Sequence, residues 1–203
     1  PDTYEIGMSH LGMKILYSVL NQREDTRCER VFAPWTDMEE EMRRENLLLY
    51  ALESGDNVKD FDIIGFTLQY ELSYTNVLNM MDLAGLPVRA ADRKELSPLV
   101  VAGGPCVCNP EPLSDFVDLF LLGEGEELIN ELVDLYKIHK AKGSGKSEFL
   151  REAAAVQGIY VPSLYDFEYE ADGKIKSITP KDGASQKVKK RIISDLDKAH
   201  VPE

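Results

Sequence analysis

Four short stretches of this chain combine glycines with small polar side chains, the residue types that let a backbone approach a ligand and bind its polar groups. One lies at the start of the chain, and the other three follow apolar runs typical of buried parallel strands. In an open parallel sheet, the ligand crevice lies beyond the carboxyl ends of the strands. We therefore predict that the four stretches meet at one rim and bind a cofactor there. The candidate binding residues are Asp2, Tyr4, Gly7, Met8, Ser9, Thr67, Gln69, Glu71, Gly103, Gly104, Pro105, Gly123 and Glu124.

The helices and strands that must position this rim alternate along the chain. Alternation of this kind predicts the α/β class, with a doubly wound parallel sheet of flavodoxin-like strand order. Two strands around Asp172-Gly173, over residues 165–170 and 174–179, predict a C-terminal β-hairpin extension. The predicted helices cover residues 8–20, 36–52, 73–84, 126–142 and 149–156, and the predicted strands cover residues 30–33, 61–68, 99–102 and 118–122.

The stretch Gly143–Ser147 resembles a phosphate-binding loop in composition only. It lacks a preceding buried strand, and Lys140 stands where the first glycine of such a loop is required. We predict a flexible linker there instead. The chain then divides into a Rossmann-like domain over residues 1–142 and an extension over residues 143–203, made of a helix, the β-hairpin, an edge strand and a linker.

The first of the four stretches reads as a loop that leaves a strand and enters a helix, yet no apolar run precedes it. The chain also starts with Pro1 rather than Met, so we expect a piece of a longer protein that lacks its first strand. In a sheet of order 2-1-3-4-5 that strand is an interior one, and its neighbours would lose backbone hydrogen bonds. We expect residues 187–193, or an edge from a neighbouring molecule, to fill the gap by strand exchange or in a homo-oligomer.

Composition excludes several classes of partner. The chain has 23 basic and 36 acidic residues, for a net charge of −13, which opposes binding to nucleic acid or to an anionic membrane surface. It has three cysteines, no signal peptide and no apolar run near 18 residues, which indicates a cytoplasmic protein without disulfides. Cys106 and Cys108 are separated by one residue and lack a second pair, so we expect no metal site.

Three residues of the first loop match the cobalamin-binding signature DxHxxG: Asp2, Tyr4 and Gly7, with tyrosine where the cobalt-ligating histidine stands. Longer segments extend the match: PDTYEIGMSHLGMKILYSVLN, LESGDNVKDFDIIGFTLQYELSYTNVLNMMDLAGLPVRAADR and PLVVAGGPCVCNPEPLSDFVDLFLLGEGEE. In these segments the chain closely resembles the N-terminal cobalamin-binding-like region of a family of radical S-adenosylmethionine (SAM) proteins. The resemblance covers residues 1–142 and continues more faintly to the end.

The resemblance implies a Rossmann-like domain that precedes a barrel. In that barrel a [4Fe-4S] cluster, held by a CxxxCxxC motif, cleaves SAM reductively. The motif is absent here, because Cys28 is alone and Cys106-Val-Cys108 has the wrong spacing. We therefore expect the cluster, SAM and the partner barrel to lie beyond Glu203 in the full-length enzyme, and this piece alone to be non-catalytic.

For this domain the resemblance implies cobalamin as a possible cofactor, with its nucleotide tail along the sheet edge. Gly103 and Gly104 match the family's glycine pair, and Thr67–Glu71 would flank the tail. A neutral phenol is a poor cobalt ligand compared with imidazole, so Tyr4 predicts base-off cobalamin without histidine ligation. The alternative within the same family is a degenerate domain that binds nothing and shapes the cavity above the cluster.

Two readings from other classes stay open at this point. A flavodoxin-like module would need a Ser/Thr-rich first loop, where only Thr3 and Ser9 are available, and a receiver-like module would need a lysine after Leu122, where none follows. A protein interaction domain without a cofactor would dock through the same rim.

Overall fold

A computed structural model describes residues 1–195, 197 and 200. Its main sheet has four strands in the order β1-β2-β3-β4: β1 Ile63–Thr67, β2 Leu99–Gly103, β3 Leu119–Leu121 and β4 Ile159–Tyr160. Strands β1, β2 and β3 are parallel, and β4 pairs antiparallel with β3. The α/β class and the mostly parallel sheet are confirmed. The strand β4 was not predicted, because a pair of residues is too short to show a period.

Helices connect and cover these strands. They are α1 Tyr4–Gly7, α2 Leu11–Asn21, α3 Thr36–Arg44, α4 Tyr74–Leu83, α5 Gly125–Lys142 and α6 Lys146–Ala153. Short 3-10 helices occupy Val58–Asp60, Glu71–Ser73, Ala90–Asp92, Pro105–Cys108, Glu111–Leu113 and Pro162–Leu164. Helix α2 packs against α5, and α5 packs against α6. Among the helices of the described residues, none combines the length and apolarity needed to cross a membrane.

The predicted β-hairpin extension is confirmed. Strands β5 Tyr165–Tyr169 and β6 Ile175–Pro180 form a separate antiparallel sheet, and Gly173 takes the positive φ of +84° that its turn requires. The division of the chain at residue 142 stays a prediction. Strand β4, which follows that point, is part of the main sheet.

Two predicted helices have wrong boundaries, one near residue 10 and one near residue 45. The helix predicted over residues 8–20 begins at Leu11, because the His10 Nδ1 accepts a hydrogen bond from the Met13 N–H at 3.1 Å and caps it. The helix predicted over residues 36–52 ends at Arg44, and Asn46 follows in a left-handed conformation with φ 55°. Leu48 and Leu49, which were predicted to belong to this helix, lie in an irregular segment that follows it.

The strand predicted over residues 30–33 is also absent. Its backbone groups have isolated partners instead: the Arg30 C=O accepts from the Leu52 N–H at 2.8 Å, and the Ala33 N–H donates to the Asp2 C=O at 2.9 Å. No ladder forms because a groove, rather than a strand, separates this segment from β1.

Residues 187–193 do not fill that groove, contrary to one of the two expectations for the gap. The Arg191 N–H donates to the Leu122 C=O at 2.8 Å, and the Glu124 N–H donates to the Arg191 C=O at 3.1 Å. Arg191 thus forms a single parallel bridge with Gly123, after β3 and away from the β1 edge. The predicted edge strand is reduced to this bridge.

The predicted linker at residues 143–147 is instead a tight helix-to-helix connection. Gly143 ends α5 with φ +67°, and α6 begins at Lys146. The Lys146 ammonium is buried and binds the Asp118 carboxylate at 2.8 Å. Lys146 is therefore a buried ion-pair residue, which explains the lysine of this stretch without a phosphate ligand.

Asp118 is the centre of this buried charge cluster. Its side chain is 2% exposed and contacts the Lys146 ammonium at 2.8 Å and the Arg93 guanidinium at 3.1 Å. Its other carboxylate oxygen accepts a hydrogen bond from the Val100 N–H at 2.8 Å. One carboxylate thus neutralises two cations and ties α6 to the centre of the sheet.

We predict that Asp118→Ala lowers the free energy of unfolding by about 3–5 kcal/mol, since it leaves two buried cations without their counter-ion. Urea unfolding followed by circular dichroism measures the change. The control is Asp115→Ala, whose carboxylate pairs with Arg89 at 3.0 Å with its side chain 70% exposed, and which should change stability by less than about 1 kcal/mol. Equal losses for the two variants would contradict the assignment.

Candidate functional site

The N-terminal loop lies at the carboxyl end of β1. The Tyr70 hydroxyl, in the loop after β1, donates a hydrogen bond to the Asp2 carboxylate at 2.8 Å. The Asn76 side-chain amide donates to the Pro1 C=O at 3.0 Å. The predicted contact between the first and second stretches therefore exists, although the partner of Asp2 is a tyrosine that sequence reasoning did not single out.

Phe32 packs closely against both Tyr4 and Gly7. The Tyr4 ring packs edge-on against the Phe32 ring, with 5.3 Å between centroids. Gly7 is buried, and a Cβ added there would lie 2.8 Å from the Phe32 ring. The glycine of the DxHxxG-like pattern is therefore explained by a close side-chain contact. Tyr4 remains partly open to solvent and provides no imidazole. Met8 and Ser9 are exposed, and the Ser9 hydroxyl donates to the Ile6 C=O at 3.1 Å.

The loops after β1 and β2 contact each other directly. The Leu68 N–H donates to the Gly103 C=O at 2.7 Å, and the Cys106 N–H donates to the Leu68 C=O at 3.1 Å. Gly104 has a φ of +102°, and a Cβ there would lie 2.8 Å from the Leu68 C=O oxygen. The close approach that requires Gly104 is thus an approach of the chain to itself.

The loop after β3 is covered by the C-terminal segment. Gly123 has a φ of +101°, and a Cβ there would lie 2.1 Å from the Arg191 C=O oxygen. The Glu124 carboxylate accepts a hydrogen bond from the Ile193 N–H. Arg191 is held by an ion pair with Glu131 of α5 at 2.6 Å. Both rim residues therefore contact residues 191–193.

A cavity of about 700 Å³ runs from this rim along the open side of β1. Its lining includes members of three of the predicted stretches, together with Pro1 and His10 of the N-terminal loop. The candidate residues in the lining are Thr67, Gln69, Gly103, Gly104, Gly123 and Glu124. The candidate residues outside the lining are Asp2, Tyr4, Gly7, Met8, Ser9, Glu71 and Pro105. The structure thus brings the four stretches to one side of the sheet, and cofactor binding by these residues stays a prediction.

The cysteines do not fit an iron–sulfur cluster, which requires several thiolates around the metal. Burial, with the nearby Glu53 and Glu29 carboxylates, raises the pKa of Cys28 to about 11. Burial also raises the pKa of Cys106 above its usual value, with Glu71 acting in the same direction. Across the part of the chain that the structure describes, no group of three or more histidine, cysteine or acidic residues could hold a metal ion.

The rim also carries apolar side chains that sequence reasoning did not assign. Leu72 is 87% exposed, Leu11 is 63% exposed and Ile6 is 59% exposed. Trp35 and Tyr70 are exposed as well. Each lies in or beside a loop at the carboxyl side of the sheet, connected by the Tyr70–Asp2 and Ala33–Asp2 hydrogen bonds. For Ile6, Trp35 and Leu72, the signal that could have revealed them was an apolar residue in a predicted loop, whereas Leu11 was assigned to the apolar face of a predicted helix.

A family described as radical SAM proteins, N-terminal, matches residues 12–162. The chain belongs to this family. It is also 30% identical over 127 residues to an uncharacterized protein of Methanocaldococcus jannaschii, MJ0966. That match covers 62% of this chain and 23% of the relative, so the chain spans about a quarter of the length of the relative. No solved structure matches the chain.

For this radical SAM N-terminal domain, the glycine contacts lead to a stability prediction. Gly104→Ala should lower the free energy of unfolding by about 2–5 kcal/mol, because it adds a clash with Leu68 to the strain of a positive φ. The control is Gly173→Ala, where φ is +84° but a Cβ would meet nothing within 4 Å, so only the strain of about 1–2 kcal/mol applies. Thermal or urea unfolding measures both. Equal losses would show that Gly104 is not required by the contact with Leu68.

Proposed function

We propose that this domain is an accessory unit of a radical SAM enzyme, and that its sheet rim docks against the catalytic domain of the same protein. The observation that carries the proposal is the set of exposed apolar side chains on the rim loops, led by Leu72, Leu11 and Ile6. Apolar surface gathered in this way marks an interaction site in soluble proteins. The chain belongs to a family of N-terminal regions of radical SAM proteins, so the partner is the radical SAM domain of the same protein.

The match covers only 23% of the relative, which leaves most of that protein outside the matched region. When bound in the catalytic domain, the iron–sulfur cluster and SAM supply the radical chemistry. The accessory domain then contributes apolar groups that exclude water, and polar groups such as Gln69 and Glu124 that face the cavity.

Base-off cobalamin is the second candidate, favoured by the cavity of about 700 Å³ that extends from the rim along β1 and is lined by Gly103 and Gly104. Tyr4 in the histidine position supports a corrinoid without histidine ligation. The contacts of Gly104 with Leu68 and of Gly123 with Arg191 account for these glycines without a ligand, which is why the accessory role comes first.

A reducing location fits this role. The cysteines Cys28, Cys106 and Cys108 are free, and free cysteines persist in reducing compartments. We propose a cytoplasmic enzyme on this basis.

In the full-length enzyme, Leu72→Asp and Ile6→Asp should each reduce the rate of 5′-deoxyadenosine formation from SAM by about 10-fold or more, since each places a charge in the docked surface and removes the burial of an apolar side chain worth about 1.5–3 kcal/mol. The matched control is Ile138→Asp, on the outer side of α5, where the wild-type side chain is 48% exposed. Rates like that of the control for both rim variants, with folding intact by circular dichroism, would contradict docking through the rim.

Mixing the domain with hydroxocobalamin, followed by gel filtration and an ultraviolet–visible spectrum, separates the two candidates. An accessory domain without a cofactor leaves no corrinoid absorbance in the protein fraction. Retained absorbance with a base-off spectrum would favour the cobalamin candidate.

A further inference from the structure

A second cavity, of about 470 Å³, lies beside the buried charge cluster around Asp118. Its size suits a small molecule, because ligand sites in proteins enclose about 300–1,000 Å³. The charge cluster forms one part of its lining, and the start of α6 and the hairpin strand β5 form two others. None of the rim residues described above belongs to this lining. The cavity is therefore a feature that docking through the rim does not explain.

The charged side chains of the lining leave one positive charge in excess. They are Arg93, Lys94, Lys146, Glu111, Asp115 and Asp118. Asp115 pairs at 3.0 Å with Arg89, which is not part of the lining, so three cations remain against two carboxylates. The side chains of Arg93 and Lys146 are 3% and 8% exposed. Because excess charge is costly to bury without a counter-ion, the lining favours an anionic ligand.

Some hydrogen-bond donors at the cavity have no partner among the described residues. The Arg93 Nε–H is buried and unpaired. The Lys146 ammonium has three donors, and two of them bind the Asp118 carboxylate at 2.8 Å and the Arg93 C=O at 3.0 Å. The backbone N–H groups of Lys146 and Ser147, in the first turn of α6, have no partner inside the helix. Donors of this kind at the positive end of a helix are well suited to a phosphate group.

A further part of the lining is aromatic. Tyr165 and Phe167 alternate along β5 and share one of its faces, and Tyr169 at the end of the strand lines the same cavity. Tyr169 is 61% exposed, so its ring is open to a ligand, and planar rings stack well on such a side chain. A lone phosphate ion would leave this part of the cavity empty, which indicates a ligand with an aromatic body.

We propose that this cavity binds a phosphate monoester that carries a planar ring, as a mononucleotide does. The phosphate group lies at the start of α6, where it meets the Ser147 hydroxyl, the free N–H groups and the excess positive charge. The ring stacks on Tyr169 and Phe167. The net charge of −13 opposes a polynucleotide, so the ligand is a small molecule.

The stretch Gly143–Ser147 gains a role from this assignment. It lacks the spacing and the preceding strand of a phosphate-binding loop, and the ion pair with Asp118 already accounts for Lys146. Its contact with a phosphate group is made instead through the first turn of α6, which begins at Lys146.

Isothermal titration calorimetry on the full-length enzyme tests the proposal, with AMP, adenosine and inorganic phosphate as probes. AMP should bind with a Kd of about 1 mM or tighter, and more tightly than either adenosine or phosphate, because it alone offers both groups. Ser147→Asp should weaken AMP binding by about 10-fold or more, since it places a carboxylate where the phosphate group lies. Ser147 is exposed and an acidic side chain is favourable in the first turn of a helix, so the variant should fold.

The matched control is Ser144→Asp, which adds the same charge in the same connection but outside the lining, and which should change the Kd of AMP by less than about 3-fold. Tyr169→Ala tests the aromatic part of the site. It should weaken AMP binding by about 5-fold or more, through loss of stacking, and leave the binding of inorganic phosphate unchanged.

Four results would overturn the proposal. The first is no detectable binding of AMP at about 1 mM. The second is an AMP affinity that Ser147→Asp leaves unchanged, which would assign the nucleotide to another part of the enzyme, or that Ser144→Asp reduces equally, which would show a general effect of charge. The third is equal affinity for AMP and adenosine, which would show that the phosphate group is not recognised. The fourth is an AMP affinity that Tyr169→Ala leaves unchanged, which would show that the ring does not stack there.

Discussion

The register between β1 and β2 is the constraint on which the rim depends. Thr67 pairs with Gly103, so the two strands end at the same level and their loops start side by side. That arrangement brings Leu68 against Gly104 and places the Tyr70 loop where it can bind Asp2. A shift of one residue would turn Ile64 and Phe66 out of the core, which fixes the register strongly.

The buried charge cluster around Asp118 is a second constraint on the geometry of the sheet. Asp118, directly before β3, accepts from the Val100 N–H in β2 and binds Lys146 at the start of α6. Since Arg93 joins the same carboxylate, two cations from distant parts of the chain share one counter-ion. A buried cluster of this kind is a weak source of net stability but a strict condition on geometry, because losing the shared carboxylate leaves charge unpaired.

Much of the fold could be predicted from apolar periodicity. The sequences of β1, β2, β3 and the long helix α5 each contain the apolar pattern of a buried strand or of a helix. The class, the hairpin and the four loops at one side of the sheet could be predicted in this way. The segment at residues 30–33 shows the limit, since strand-like residues form a strand only where a neighbour offers a ladder of hydrogen bonds. The pairing of Arg191 with Gly123 could not be read from sequence either, because it joins residues far apart in the chain. For the candidate site, sequence marked glycines at the strand ends but not their neighbours, because Leu68 approaches Gly104 and Arg191 approaches Gly123 from distant parts of the chain. Binding of a cofactor by these residues stays a prediction.

The bridge at Gly123 has a mechanical consequence. Arg191 is clamped at two points, by backbone hydrogen bonds to Leu122 and Glu124 and by the ion pair with Glu131. The backbone of Arg191 is therefore fixed to the end of β3, and its side chain is fixed to α5. Because Gly123 and Glu124 also line the cavity, Arg191 holds part of the cavity lining in place, whereas β5 and β6 form a sheet of their own.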